Sequence, residues 1–205
     1  MSVISAIVLA AGKSTRMASC KQLAEIGGET MIERVLFNAL ASEVDEVIVV
    51  LGYRADDVAK KIESHKVKIV INEHYENGLS SSVKAGLQAI DSRAMAAIFL
   101  LGDQPFVDSS TINRVLRKYM RSHARIVIPT FKSLRGNPVL FDRSLFDEIM
   151  RLSGDVGGRR IVANHDTEVV TVEIHNPGIF MDIDTRSDLK LAVEHITKLK
   201  SASRA

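Results

Sequence analysis

The chain has 205 residues, a size that suits one α/β domain with a sizeable core. Hydrophobic residues make up 46% and charged residues 25%, an ordinary balance for a globular protein. A net charge of +2 gives no bulk electrostatic case for nucleic-acid binding, and no apolar run reaches membrane-spanning length.

The first predicted strand covers residues 4–9, a short apolar run. Similar runs at 47–51, 67–71 and 97–101 predict further strands, and their continuous apolar character is that of a parallel sheet buried on both faces. Helical spacing fills the gaps. Thr30-Met31-Ile32-Glu33 reads as a capping box opening a helix to Leu40. Residues 56–62 and 81–90 predict the next two helices, and Asp108 or Ser109 caps a helix carrying Ile112, Val115, Leu116 and Tyr119. The second half is less regular. Strands are expected at 126–129 and 138–141 around a polar turn at 132–137, short helices at 145–151 and 159–163, and strands at 168–174 and 180–183. Thr185 to Asp188 forms a second capping box, opening a last helix to about residue 198. The fold class is therefore a Rossmann-like α/β domain over 1–200, with a mostly parallel sheet and a frayed tail at 201–205.

The loop after the first strand carries the strongest chemical signal. Leu9, Ala10, Ala11, Gly12, Lys13 and Ser14 lead to Arg16 and Met17, with Lys21 just beyond. Glycine permits a sharp bend and close ligand approach, and exposed amides in such a loop bind anions. Lys13, Arg16 and Lys21 add full positive charge, so a nucleoside triphosphate is the expected guest. Neither standard phosphate-loop pattern is present: position 7 is Ile where a P-loop has glycine, and no G-x-G-x-x-G follows the strand. An ordinary basic strand-to-helix loop is the plainer reading, and the density of Gly12, Ser14, Arg16 and Lys21 weighs against it. Cys20 has Arg16 and Lys21 near it in sequence, which would lower its pKa, but with no base nearby it reads as incidental.

Two acidic sites follow strands. Asp103, in Gly102-Asp103-Gln104-Pro105, can hold Mg²⁺ together with substrate phosphates, or serve as a turn aspartate. Asp182 and Asp184 share a face if extended. Asp184 is the favoured metal ligand and Asp182 the supporting one, with helix capping the alternative for Asp184. Ser80, Ser81 and Ser82 exceed what one helix cap needs, and the surplus hydroxyls can bond a base or ribose or simply face solvent. Arg135 and Asn137, and Asp155 and Arg159, lie in glycine-bearing segments suited to an acceptor or to plain surface loops. The six histidines lack close metal-ligand spacing. Ligands of open parallel sheets sit beyond the carboxyl ends of the strands. The first loop and the segments after Ile71, Leu101 and Met181 should therefore meet at one rim.

These motifs, spread over nearly the whole chain, resemble the molybdenum cofactor cytidylyltransferase family within the nucleotidyltransferase group. They are Leu9-Ala10-Ala11-Gly12-x-Ser14-x-Arg16-Met17, Lys21, Gly78-Leu79-Ser80-Ser81-Ser82, Gly102-Asp103-Gln104-Pro105, Gly136-Asn137-Pro138-Val139-Leu140-Phe141, Gly154-Asp155-x-Gly157-x-Arg159 and Asp182-Ile183-Asp184-Thr185. The chain departs from the family pattern at Ala18, Asn137 and Arg186, where glycine, histidine and proline are common.

The resemblance implies transfer of CMP from CTP to the terminal phosphate of molybdopterin, with release of pyrophosphate. Asp103 and Asp184 would hold Mg²⁺, Arg16 and Lys21 would stabilise the departing charge, and Ser80 and Ser81 would face the base. Arg135, Asn137, Asp155 and Arg159 would shape the acceptor site. The product would pass to a molybdoenzyme or its chaperone, and the expected location is cytoplasmic. A sugar phosphate is the alternative acceptor, and a non-catalytic nucleotide-binding chaperone the alternative of another class.

Overall fold

The computed structural model describes residues 3–17 and 19–202, with side chains to 198. In chain order, β1 (Val3–Ala10), the small hairpin β2 (Glu25–Ile26) and β3 (Glu29–Thr30), α1 (Met31–Leu40), β4 (Glu46–Leu51), α2 (Ala55–Ile62) and β5 (Lys68–Ile71) come first. They are followed by α3 (Leu79–Gln88), β6 (Ala94–Leu101), α4 (Ser109–Ser122), β7 (Ile126–Phe131), β8 (Leu134–Arg135) and β9 (Val139–Asp142). The chain closes with α5 (Phe146–Met150), α6 (Arg159–Asn164), β10 (Val169–Glu173) and α7 (Arg186–Ala202).

The main sheet has the order β10-β7-β9-β6-β1-β4-β5, with β8 paired to β7. β1 runs parallel to β4 and β6, and β4 to β5, whereas β9 is antiparallel to both β6 and β7. Alternation along β1 explains the two cores. Ile4, Ala6, Val8 and Ala10 pack with residues of α1, α2 and α4 on one face, while Ile7 packs with α3, α5 and α6 on the other. A third cluster joins Ile26 and Met31 to Ile183, Ala192 and Ile196, seating α7 against the hairpin. No helix among the described residues is long and apolar enough to cross a membrane.

Both capping boxes form. The Thr30 hydroxyl accepts the Glu33 amide, the Thr185 hydroxyl accepts the Asp188 amide, and Asp108 caps α4. Several expectations are corrected. The 67–71 run is an edge strand, with Ile71 exposed. The 81–90 helix starts two residues earlier, at Leu79, and stops at Gln88. Within the turn at 132–137, positive φ at Lys132 and Ser133 folds Leu134–Arg135 back onto β7. Residues 180–183 form no strand: a 3₁₀ turn covers Pro177–Phe180, with Pro177 early in it and the Asn176 side chain accepting the Gly178 amide. The last helix runs on to Ala202, past the expected end near residue 198, and residues 203–205 lie outside the described ones.

Candidate active site

The ends of β1 and β6 are held almost backbone to backbone. The Gly102 amide donates to Leu9 O at 2.9 Å, and a Cβ at Gly102 would lie 2.9 Å from Ala10 Cβ. Beyond β1 the loop bends at Ser14, with φ +56°, and not at Gly12. A Cβ at Gly12 would meet no atom within 4 Å. The glycine therefore leaves open space for an approaching ligand, and the sharp bend expected of it falls on the serine.

Gln22 stitches this loop together from below, and sequence reasoning missed it. It is buried, donates to Ala10 O at 3.1 Å, and accepts from the Ser14 hydroxyl at 3.4 Å and the Cys20 thiol at 3.1 Å. The Ser14 hydroxyl in turn accepts the Lys21 amide at 3.1 Å. Burial pushes the Cys20 thiol up, which overturns the lowered value expected from its charged sequence neighbours.

Lys21 is the hub of the charged groups. Its Nζ donates to Asp103 Oδ2 at 2.6 Å and to Asp184 Oδ1 at 2.9 Å. Arg16 donates to Asp184 Oδ2 at 2.8 Å. The two carboxylates thus share one cation at the strand rim. Burial opposes ionisation of both Asp184 and Lys21, but the opposed charges outweigh it. Asp184 is held below the usual carboxylate range and Lys21 above the usual amine range. Capping of α7 falls to Thr185, which leaves the Asp184 carboxylate to the site. Asp182 turns to the Gln104 amide instead, and its desolvated surroundings push it up despite that bond. Asp103 Oδ1 is buried and has no partner.

Two cavities open beside this cluster. One, of about 790 Å³, has an apolar floor that includes Phe99, Ile128 and Phe141, and a polar rim of Arg135, Asn137, Asp155, Arg159, Gln104 and Asp182. The other, of about 630 Å³, is bounded by Gly12, Lys13, Tyr75, Asn77, Gly78 and again Asp155. Lys13 is paired with Glu76 at 2.6 Å on its exposed edge.

A family model described as a MobA-like NTP transferase domain matches residues 6–169. The chain belongs to that family. It is a nucleotidyltransferase, and its relatives include enzymes. It is 27% identical over 200 residues to the molybdenum cofactor cytidylyltransferase of Escherichia coli K12, covering 97% of this chain and 100% of that protein. It is 29% identical over 206 residues to the bifunctional protein GlmU of Trichlorobacter lovleyi, covering 98% of this chain and 42% of that protein. The chain therefore spans about two fifths of the length of that relative. Among solved structures, Rv0371c of Mycobacterium tuberculosis H37Rv in complex with manganese matches with a TM-score of 0.80 and 27% identity, over 94% of this chain and 98% of that one.

In this MobA-like transferase, the residues singled out from sequence do converge. Arg16, Lys21, Asp103 and Asp184 form one contact network. Arg135, Asn137, Asp155 and Arg159 line one cavity together with Leu9, while Gly12 and Lys13 line the other. Ala10 and Ala11 are buried beneath the loop, and Gly102 abuts β1. The serines are more occupied than expected: Asn72, after β5, donates to both the Ser81 and Ser82 hydroxyls, Ser81 donates to Gly78 O, and Ser80 is buried. Ala18 lies outside the described residues.

Proposed function

We propose that this transferase moves CMP from CTP to the terminal phosphate of a molybdopterin-type molybdenum cofactor, releasing pyrophosphate. The carrying observation is the larger cavity. Its apolar floor suits a planar heterocyclic body, and its two arginines suit an attached phosphate. The full-length likeness to a molybdenum cofactor cytidylyltransferase supports the same acceptor. The smaller cavity, with the open approach to Gly12, is the proposed seat of the nucleotide.

The residues at the rim fit a divalent cation. Asp103 and Asp184 are hard oxygen donors, and Asp103 keeps one buried oxygen with no partner. Bound there, Mg²⁺ would neutralise part of the triphosphate charge; the structural relative crystallised with manganese supports this class of ion. The chain's own groups do the rest. Arg16 and Lys21 stabilise negative charge as it gathers on the leaving pyrophosphate, and the loop held by Gln22 presents its amides. Arg135 and Arg159 orient the acceptor phosphate for attack on the α-phosphorus. That phosphate is ionised at neutral pH, so no general base is required.

Pyrophosphate release with CTP, GTP and UTP, each against molybdopterin-bound molybdenum and a panel of sugar phosphates, tests the reading. Turnover should be fastest with CTP and the molybdenum cofactor. Asp103→Asn should lower it by about two to three orders of magnitude with an unchanged melting temperature. Turnover with a sugar phosphate and none with the cofactor would replace the acceptor named here.

A further inference from the structure

All four carboxylate oxygens of Asp103 and Asp184 are accounted for. Asp103 Oδ1 is sealed from solvent and Oδ2 holds Lys21, while Asp184 Oδ1 holds Lys21 and Oδ2 holds Arg16. Each of the three oxygens that is not sealed therefore already holds a cation. Lys21 is nearly enclosed, with 12% of its side chain exposed, whereas Arg16 is 67% exposed and free to swing away. An incoming dication would also meet two positive charges already in its seat, and like charges at this range repel strongly in a partly desolvated site.

We propose that Lys21 is a resting occupant of the cation seat that bars divalent metal until a triphosphate draws it off. This rests on the reading that Asp103 and Asp184 hold the metal. A triphosphate offers Lys21 and Arg16 new oxygen partners, so their withdrawal uncovers the carboxylates as the nucleotide settles. Metal then enters with the nucleotide or after it, and not before. Lys21 thereby acts twice: it withholds the ion from the empty site, and it serves the pyrophosphate once the site is filled.

The test is Mn²⁺ binding to the full chain, read from the electron paramagnetic resonance signal of free Mn²⁺ and without any turnover. Wild-type protein alone should bind Mn²⁺ weakly. Lys21→Met alone should bind it about tenfold more tightly or better, because a competing charge has left the seat. Lys13→Met removes the same charge from the same loop but touches neither carboxylate, and should leave Mn²⁺ binding near the wild-type value. Lys21→Gln and far-ultraviolet circular dichroism guard against misfolding of the first variant. Lys21 variants that fold and bind Mn²⁺ no better than wild type would overturn the proposal, as would equal tightening by Lys13→Met. A different failure would identify a fault in the underlying reading: Asp103→Asn and Asp184→Asn binding Mn²⁺ as well as wild type with a non-hydrolysable CTP analogue present, after subtraction of the ion held by free nucleotide.

Discussion

Gly78 borders the smaller cavity and packs on the 154–155 backbone, and replacing it with alanine should damage both the fold and the site. Its backbone sits at φ +92° and ψ 172°, a region that side chains avoid. A Cβ there would lie 2.4 Å from the carbonyl carbon of Gly154, 2.5 Å from its oxygen and 2.6 Å from the Asp155 amide nitrogen. All three are backbone atoms, so no rotamer change relieves the contact. The conformational strain costs about 1–3 kcal/mol. Forcing the 154–155 backbone away adds about 1–3 kcal/mol and weakens the bond from the Ser80 amide to Gly154 O. A total loss of about 2–6 kcal/mol lowers the melting temperature of a chain this size by roughly 4–24 °C. Gly154→Ala is the matched control, because Gly154 also has positive φ, at +77°, but its Cβ would meet nothing within 4 Å. That variant should lose only about 1 kcal/mol. Calorimetry on both variants, with acceptor KM measured on whatever remains folded, reads the outcome. Gly78→Ala melting no lower than Gly154→Ala would refute the reasoning.

Gly12→Ala should leave stability within about 0.5 kcal/mol of wild type, since the added methyl enters open space, yet weaken CTP binding in titration calorimetry about tenfold; unchanged affinity would remove Gly12 from the nucleotide seat. Gln22→Met keeps the side-chain length but strands Ala10 O and the Ser14 and Cys20 donors; it should cost about 1–3 kcal/mol in urea unfolding and raise nucleotide KM more than acceptor KM. His165 lies between Glu168 Oε1 at 2.6 Å and Glu148 Oε2 at 2.7 Å, with Arg125 also touching Glu168, and the two carboxylates raise its pKa. A raised histidine value stabilises fully below the unfolded pKa of about 6.5 and loses that contribution as pH climbs through the folded value. The urea midpoint of wild type should therefore fall between pH 6 and pH 9 more steeply than that of His165→Gln, and equal slopes would show that the imidazolium contributes nothing.

Parts of this architecture were legible because their causes are local. The continuous apolar runs of β1, β4 and β6 are buried on both sides, and their composition says so. Thr30 with Glu33, and Thr185 with Asp188, carry their capping chemistry within four residues. Residues 180–183 misled because apolar composition favoured extension, while the decisive contact is distant: a Cβ at Gly178 would lie 2.3 Å from Phe106 O. The β2–β3 hairpin was too short to show periodicity. Gln22 gave no signal of its own, since a buried glutamine bonding 12 residues back is indistinguishable in sequence from one in water. Lys21 meets Asp103, 82 residues away, where the rule for strand ends brings the first loop and the end of β6 together, whereas Asp184, 163 residues away, follows a 3₁₀ turn and no strand.

Asp155 belongs to the boundary of both cavities, and its Oδ1 accepts the Leu79 amide at the start of α3. A partition common to two compartments transmits pressure from either side. A nucleotide that displaces this carboxylate changes the room left for the acceptor. By thermodynamic reciprocity the acceptor then alters nucleotide affinity by the same factor. Cooperativity between the two substrates would thus need no domain closure and no second subunit, only a shift in one loop of a few residues.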